Sequence, residues 1–408
     1  MRQRRLIQPA FQATFVHSLT PVFSGCAYIL ATRWKALMNE HKVEKIDMNV
    51  YQWIELLTME SLGRAAFGVE FNSIAGEQHE LMQAYRGIIS RGYSRPTKIE
   101  IALQALALRL PPWILSRLDC IPTKRMRQLR AAKSIAEDDK TEDRDLLSVL
   151  VRAGEPDERG KLQPMTDQEI YDQLTTSVVA GFETVGNTTN YGLYELARNP
   201  DIQRKLFAEV SQVLEPMFED ENQPGFDYAK LNAMPYLNAF VKEVLRVHSP
   251  VSYGLFQARV DDVIPLSNPI PTPNGPVKQV PISAGQRIFV ALDGANHHPD
   301  IWGTDVDEFK PERWLIADPA EIRPEQRIGG PYDNIASFGG GPKTCLGWRF
   351  AVVELQSFLA VLVREYEFDL ISKEYQLWKD GCFVAPAERG KADMGPRLPL
   401  RITRRSNR

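Results

Sequence analysis

The chain has 408 residues, 43% hydrophobic and 25% charged, ordinary globular proportions that suggest neither disorder, nor a collagen-like repeat, nor a membrane bundle. Forty-nine basic against fifty-two acidic residues leave a formal charge of -3, so no global positive field recommends nucleic acid as a partner. Its four cysteines, Cys26, Cys120, Cys345 and Cys382, lie far apart with no C-x-x-C pair, which points away from a disulfide framework or zinc site and fits a reducing compartment.

In chain order, Arg2, Arg4 and Arg5 followed by Leu6, Ile7 and Phe11 read as the middle of an amphipathic helix rather than a natural start. No run of about 18 or more apolar residues could span a bilayer, and no apolar leader precedes a cleavage site. Three- and four-residue apolar spacing predicts helices over 46–67 and 76–93, punctuated later by Pro111-Pro112. The charge-dense stretch 137–161, broken only by Leu146 to Val151, reads as a surface helix end and loop with solvated charges. Thr166 with Glu169 forms a capping-box pattern, after which Ile170, Leu174, Val178 and Val185 mark one face of a long helix. Another helix runs from Pro235 to His248, stopped by Pro250. Between 257 and 291, prolines and glycines separate short β-branched runs such as Val280-Pro281-Ile282 and Arg287-Ile288-Phe289-Val290, which predict small sheets. After Gly347, the spacing of Ala351, Leu355, Phe358, Leu359 and Leu362 predicts a final buried helix. The fold class is therefore mainly α with small β-sheets (α+β). Length alone leaves one large unit or two smaller ones open.

The most informative segment is Phe338-Gly339-Gly340-Gly341-Pro342-Lys343-Thr344-Cys345-Leu346-Gly347, a glycine-rich loop delivering a cysteine to the start of an apolar helix. Backbone N–H groups there and the helix N-terminus both favour the thiolate. Thiolate ligation pushes electron density into an iron and promotes O–O cleavage more than histidine does. Gly341 and Gly347 would let backbone approach a flat macrocycle, and Phe338 would shield the sulfur from water. The bland alternative is an inert buried cysteine beside a turn, but Phe, Gly, Cys and Gly at these four offsets have a chance likelihood of roughly one in a thousand over a whole chain. The segment resembles the haem-binding signature F-x-x-G-x-R-x-C-x-G of the cytochrome P-450 superfamily. Lys343 stands at the usual arginine position, where it can meet a haem propionate as a point charge but cannot form a fork.

Three further segments resemble the same family in the same order. Ala180-Gly181-Phe182-Glu183-Thr184 is similar to the distal-helix motif A-G-x-[DE]-T: small residues at 180 and 181 would leave room for dioxygen and permit a local break in the helix ladder, filled by water or Thr184. Thr184 would hydrogen-bond the dioxygen, and Glu183 would relay protons. The alternative is that Thr184 only back-bonds to its own helix and Glu183 is solvated. Glu243 and Arg246 share a helix face, and Pro311-Glu312-Arg313-Trp314 supplies the family's second arginine, so Glu243, Arg246 and Arg313 are expected to form a buried structural triad. Arg259 matches a propionate-binding arginine, with a plain surface arginine as the even alternative. Arg4 matches the arginine of the family's W-x-x-x-R helix.

The resemblance implies a single domain over 1–408 with the cytochrome P-450 fold, haem b ligated by Cys345, and a small, lipophilic organic substrate. It also implies electrons from a separate NADPH-cytochrome P-450 reductase docking near Lys343, and a fungal microsomal setting at the endoplasmic reticulum membrane. The anchor, first helices, part of the main sheet and the loop over the substrate site have no counterpart, so the chain is expected to be incomplete at its N-terminus. The rival readings are a truncated, catalytically inactive or poorly folded product, and a helical protein with an inert Cys345. His297-His298 lacks a zinc-binding pattern, and the 339–341 glycines do not complete a dinucleotide fingerprint. Val251, Leu255, Phe256 and Val384 are weak pocket candidates that serve equally well as core.

Overall fold

The computed structural model describes residues 2–76, 145–155, 163–215, 225–315, 328–371, 375–380, 383–391 and 394–405. Among these, helices dominate: α1 (Arg2–Ile7), α2 (Ala13–Ser18), α3 (Thr20–Glu40), α4 (Val50–Phe67), α5 (Leu146–Ala153), α6 (Asp167–Arg198), α7 (Pro200–Val213), α8 (Tyr228–Asn232), α9 (Pro235–Val247), α10 (Leu292–Asn296), α11 (Pro299–Trp302) and α12 (Trp348–Glu365). The predicted helix 76–93 and the Pro111-Pro112 break lie outside the described residues.

The centre of the molecule is α6, 32 residues long. Its start is fixed by the expected capping box: Thr166 Oγ1 accepts from Glu169 N at 3.3 Å, and Glu169 Oε2 accepts from Thr166 N at 2.9 Å. Arg2 and Gln3 of α1 also bond the Glu169 carboxylate. With the Thr166 N–H leading and Arg2 next, they hold it down at about 2. Two glycines set the approach of α4 to α6. A Cβ on Gly181 would stand 3.0 Å from Leu62, and one on Gly186 would stand 3.4 Å from Thr58 Oγ1. On another side, α12 packs against α6 with Leu359 over Gly192, and its run from Val352 to Val363 is buried throughout. Helix α3 closes the group with Phe23, Leu30 and Trp34 in the same core. A second apolar cluster joins α1, the end of α4, α5 and the first half of α6. Burial of these stripes, each large side chain contributing about 1.5–3 kcal/mol, holds the bundle together.

Among the described residues, four small antiparallel sheets accompany the helices. The three-stranded sheet orders β1 (Lys45–Asn49), β9 (Pro399–Arg404) and β6 (Tyr366–Leu370), with Ile402 between Ile46 and Phe368. The others pair β2 (Tyr253–Gln257) with β5 (Arg287–Ala291), β3 (Asp262–Ile270) with β4 (Val277–Ile282), and β7 (Tyr375–Asp380) with β8 (Phe383–Glu388). Residues 46–49, expected as helix, are strand. Ile46 and Met48 alternate with Lys45 and Asp47 and pair with a distant β9, so the helix starts only at Val50. The expected surface loop at 137–161 also differs where it is described: Asp145 is buried and caps α5, accepting from Ser148 N at 2.7 Å. A carboxylate at a helix N-terminus answers orphan N–H groups and the helix dipole, so burial there is tolerated.

Candidate active site

The cysteine loop is built in two short 3-10 turns, Ala336–Phe338 and Gly341–Lys343, before α12 begins at Trp348. Gly339 (φ 66°) and Gly341 (φ 62°) adopt the left-handed conformation that reverses the chain. Cys345 N donates to Phe338 O at 2.8 Å, closing the loop on itself. The Phe338 ring lies 6.5 Å from Trp348 and 6.3 Å from Tyr332, forming an aromatic wall beside the loop. Gly347 does not open onto empty space: its missing side chain makes room for Phe11, whose ring would meet an added Cβ at 3.4 Å. Lys343 is exposed.

Cys345 carries accessible surface, yet enough protein crowds it to push its thiol above the ordinary value. Loss of hydration is the largest cause, opposed by the Gly347 N–H and by Arg4. A group that is both accessible and desolvated lines a recess. The thiolate expected from the loop's N–H donors is thus not favoured by the surroundings as a whole: the Gly347 N–H is present, but burial outweighs it. A coordinating metal ion reverses that balance by deprotonating the thiol outright. Arg4 reaches the loop through Thr344, donating from Nη1 to its carbonyl at 2.7 Å.

Helix α6 is continuous through the second motif. Ala180 is exposed midway along it, Gly181 backs onto Leu62, and Thr184 Oγ1 donates to Ala180 O at 2.6 Å. The break expected at 180 and 181 is therefore absent, and Thr184 makes the alternative back-bond to its own helix, because the Ala180 carbonyl can accept from the hydroxyl as well as from the ladder N–H. Glu183 is half-buried, and loss of hydration pushes its carboxyl up to about 7.

Glu243, Arg246 and Arg313 come together. Arg246 grips Glu243 with two bonds, Nη2 to Oε1 at 2.8 Å and Nε to Oε2 at 2.9 Å, and both residues are fully buried. Arg313 Nε reaches Oε1 at 3.3 Å. Sequence reasoning missed the remaining members: Trp314 Nε1 and Lys310 N also donate to Glu243, and Arg246 donates to the carbonyls of Asn296, Val306 and Glu308. Asn296 then ties the triad to the cysteine loop, accepting from Ala336 N at 2.7 Å and donating to Ser337 Oγ at 2.8 Å. No local sequence pattern marks Asn296, because its partners are backbone and far away in the chain.

The Cytochrome P450 family model matches residues 1–392 of this chain. The chain belongs to the cytochrome P450 family. Similar relatives include a cytochrome P450 monooxygenase 205 of Postia placenta, 34% identical over 98% of this P450 and 75% of that protein. Ganoderic acid synthetase of Ganoderma lucidum is 28% identical over 98% of this chain and 76% of its own. A crystal structure of a cytochrome P450 superposes with a TM-score of 0.71 at 21% identity, covering 99% of this chain and 78% of the other. The fold of this P450 is accordingly the mainly helical one with small antiparallel sheets. It is an oxidoreductase that incorporates oxygen, with haem as cofactor.

The residues present fit that group. The recess at Cys345 offers a soft ligand, open space where a Cβ on Gly341 would meet nothing, and a guanidinium at Arg4. Ala180 ends the exposed stripe of α6 that Asp172 and Thr176 begin, and as its one apolar member it suits an apolar group covering it. Arg259 is exposed in the bend after β2 and, among the described residues, makes no hydrogen bond with the loop. Of the pocket candidates, Val384 is core and donates its N–H to Pro250 O, Val251 is half-buried, and Leu255 and Phe256 are exposed. His297 bonds the Asp293 carbonyl, and no cluster of metal-ligating side chains occurs among the described residues.

Proposed function

We propose that this P450, as a single domain, is a haem b monooxygenase acting on a small lipophilic organic substrate, with Cys345 as the residue that would ligate the iron. The placement of Cys345 in a recess at the start of α12 carries the reading. When bound, the haem supplies the reductive splitting of dioxygen, one atom entering the substrate and the other leaving as water. Lys343, Arg4 and Arg259 would hold its propionates as charge partners. Phe338 keeps water from the sulfur, and Gly341 and Gly347 keep the loop thin. Ala180 and Gly181 would leave room for dioxygen, Thr184 would have to turn its hydroxyl away from the Ala180 carbonyl to serve the oxygen site, and Glu183, whose carboxyl burial raises to about 7, would pass protons to it. The triad of Glu243, Arg246 and Arg313 anchors the loop's base through Asn296.

Electrons come from NADPH-cytochrome P-450 reductase, docked on the face that carries Lys343. The membrane setting is the endoplasmic reticulum. No single described helix is long and apolar enough to cross a membrane, so that setting rests on the family.

The test is a reduced carbon-monoxide difference spectrum of the purified chain, repeated on Cys345→Ala. A thiolate-type Soret band in the wild type, lost in the variant, is the expected result; well-folded protein without haem uptake would sink the proposal. A second reading is haem binding without turnover. Product formation with reductase and NADPH separates the two.

A further inference from the structure

Helix α1 is six residues long, too short to hold its own shape in water, so its contacts decide where it stands. Ile7 seats one side in the second apolar cluster beside Leu6, and the Phe11 ring, at the end of the following 3-10 turn, lies against Gly347 of the cysteine loop. Arg2 and Arg4 are two positions apart, which points them to opposite sides of the helix. Arg4 goes to the cysteine loop, donating to the Thr344 carbonyl at 2.7 Å and placing its charge near Cys345. Arg2 goes the other way, to the head of α6: Nη1 donates to the carbonyls of Gln163 at 3.0 Å and Pro164 at 2.6 Å, and Nη2 bonds Glu169.

The two oxygens of Glu169 have separate partners. Oε2 accepts from the Thr166 N–H at 2.9 Å and completes the capping box. Oε1 faces α1, accepting from Arg2 and, at 2.9 Å, from Gln3 Nε2. Gln3 Oε1 in turn accepts from Gln173 Nε2 at 3.3 Å, one turn further along α6. A capping box needs one acceptor at this position, which glutamine provides as well as glutamate. The second oxygen, aimed at a guanidinium and an amide, lies outside that need. Donors led by the Thr166 N–H, with Arg2 next, hold the Glu169 carboxyl down at about 2, so it faces Arg2 as an anion throughout the neutral range.

We propose that Glu169 is a positioning residue for the cysteine recess: by holding Arg2 and Gln3 it fixes α1, and α1 keeps Arg4 against the Thr344 carbonyl beside Cys345. This rests on the reading of Cys345 as the haem ligand. The short helix is a strut between the head of α6 and the loop before α12, with one arginine at each end. The Arg2–Glu169 pair is part-exposed, and such pairs add little to overall stability. Its effect is on where one guanidinium stands, which is a matter of the recess and not of the fold.

The test compares wild type, Glu169→Gln, Arg2→Met and Thr166→Ala, with Glu169→Gln also made in an Arg4→Met background. Glutamine keeps an acceptor for the Thr166 N–H but turns an amide donor toward Arg2 and Gln3, whereas Thr166→Ala weakens the cap and leaves Oε1 with its α1 partners. In the haem-loaded protein, transfer of haem to a scavenger protein should be roughly two- to fivefold faster in Glu169→Gln and Arg2→Met, the range for a part-exposed ion pair, and unchanged in Thr166→Ala. Added to Arg4→Met, Glu169→Gln should have no further effect, because the path runs through Arg4. Amide hydrogen exchange at the Cys345 N–H, which donates to Phe338 O, should quicken in Glu169→Gln and Arg2→Met with or without haem. A Glu169→Gln that matches wild type, that adds in full to Arg4→Met, or that Thr166→Ala equals overturns the proposal: the first result removes the link, and the other two make it a general loosening of α6. A wild type that takes up no haem would instead sink the haem reading, while exchange in the loop still reads the strut.

Discussion

Cys345 and Glu183 share one physical situation, a chargeable group whose proton is held by loss of hydration, and Arg4 adds a positive charge beside the first. Arg4 spends one bond on the Thr344 carbonyl, so it fixes the cysteine loop from outside while lending positive charge to the recess. Arg4→Met, which keeps the stem and deletes the charge, should speed haem transfer to a scavenger protein by about tenfold, the worth of one charge-assisted bond. An unchanged transfer rate would mean that the loop holds its shape alone. At Glu183 the folded carboxyl binds its proton up to about 7, above the ordinary 4.5. Its contribution to stability is therefore fully present below the ordinary value and lost as pH rises through about 7. Coupled turnover should change most steeply across that same range, and Glu183→Gln should flatten the profile, measured as product per NADPH at a series of pH values.

Between elements, the strongest constraint is the buried carboxylate of α9. Glu243 accepts from Arg246, Arg313, Trp314 and the Lys310 N–H at once. Glu243→Ala would strand a fully buried guanidinium and should cost about 3–5 kcal/mol in urea unfolding, whereas Thr166→Ala at the head of α6 should cost only about 1 kcal/mol. Equal losses would contradict the ranking. The approach to the cysteine loop is as exacting sterically. A Cβ on Gly330 would stand 2.0 Å from Ile335 O, so Gly330→Ala must displace the turn that leads into the loop. Roughly 1–3 kcal/mol of strain is expected there, read as reduced haem retention with helical circular dichroism preserved. Elements paired over short range were legible beforehand: the capping box, the helix from Pro235 and the final helix each carry their own start signal or periodicity. The strand at 45–49 was not, since its two alternating apolar residues gain meaning only from β9, more than 300 residues later in the chain.

For the whole molecule, the bundle interior makes stability depend on pH through Glu354 of α12. Glu354 keeps its proton in the fold up to about 8 against an ordinary 4.5, because burial outweighs the one hydrogen bond from Ser61. Its contribution is complete below the ordinary value and fades as pH rises through about 8. Chemical denaturation at pH 6 and pH 8.5 should show the wild type losing stability that Glu354→Gln does not lose; parallel slopes would indicate an ionised Glu354. What sequence by itself determined is the chemistry-bearing loop, the distal motif and the pairing of Glu243 with two arginines, because each rests on residue types at short, fixed offsets. Tertiary structure decided what those residues experience. Burial raises the Cys345 thiol against its local N–H donor, Asn296 ties the triad to the loop, and Ser61 meets Glu354 across 293 positions. Desolvation and backbone partners depend on which distant surfaces come together, and no local pattern encodes them.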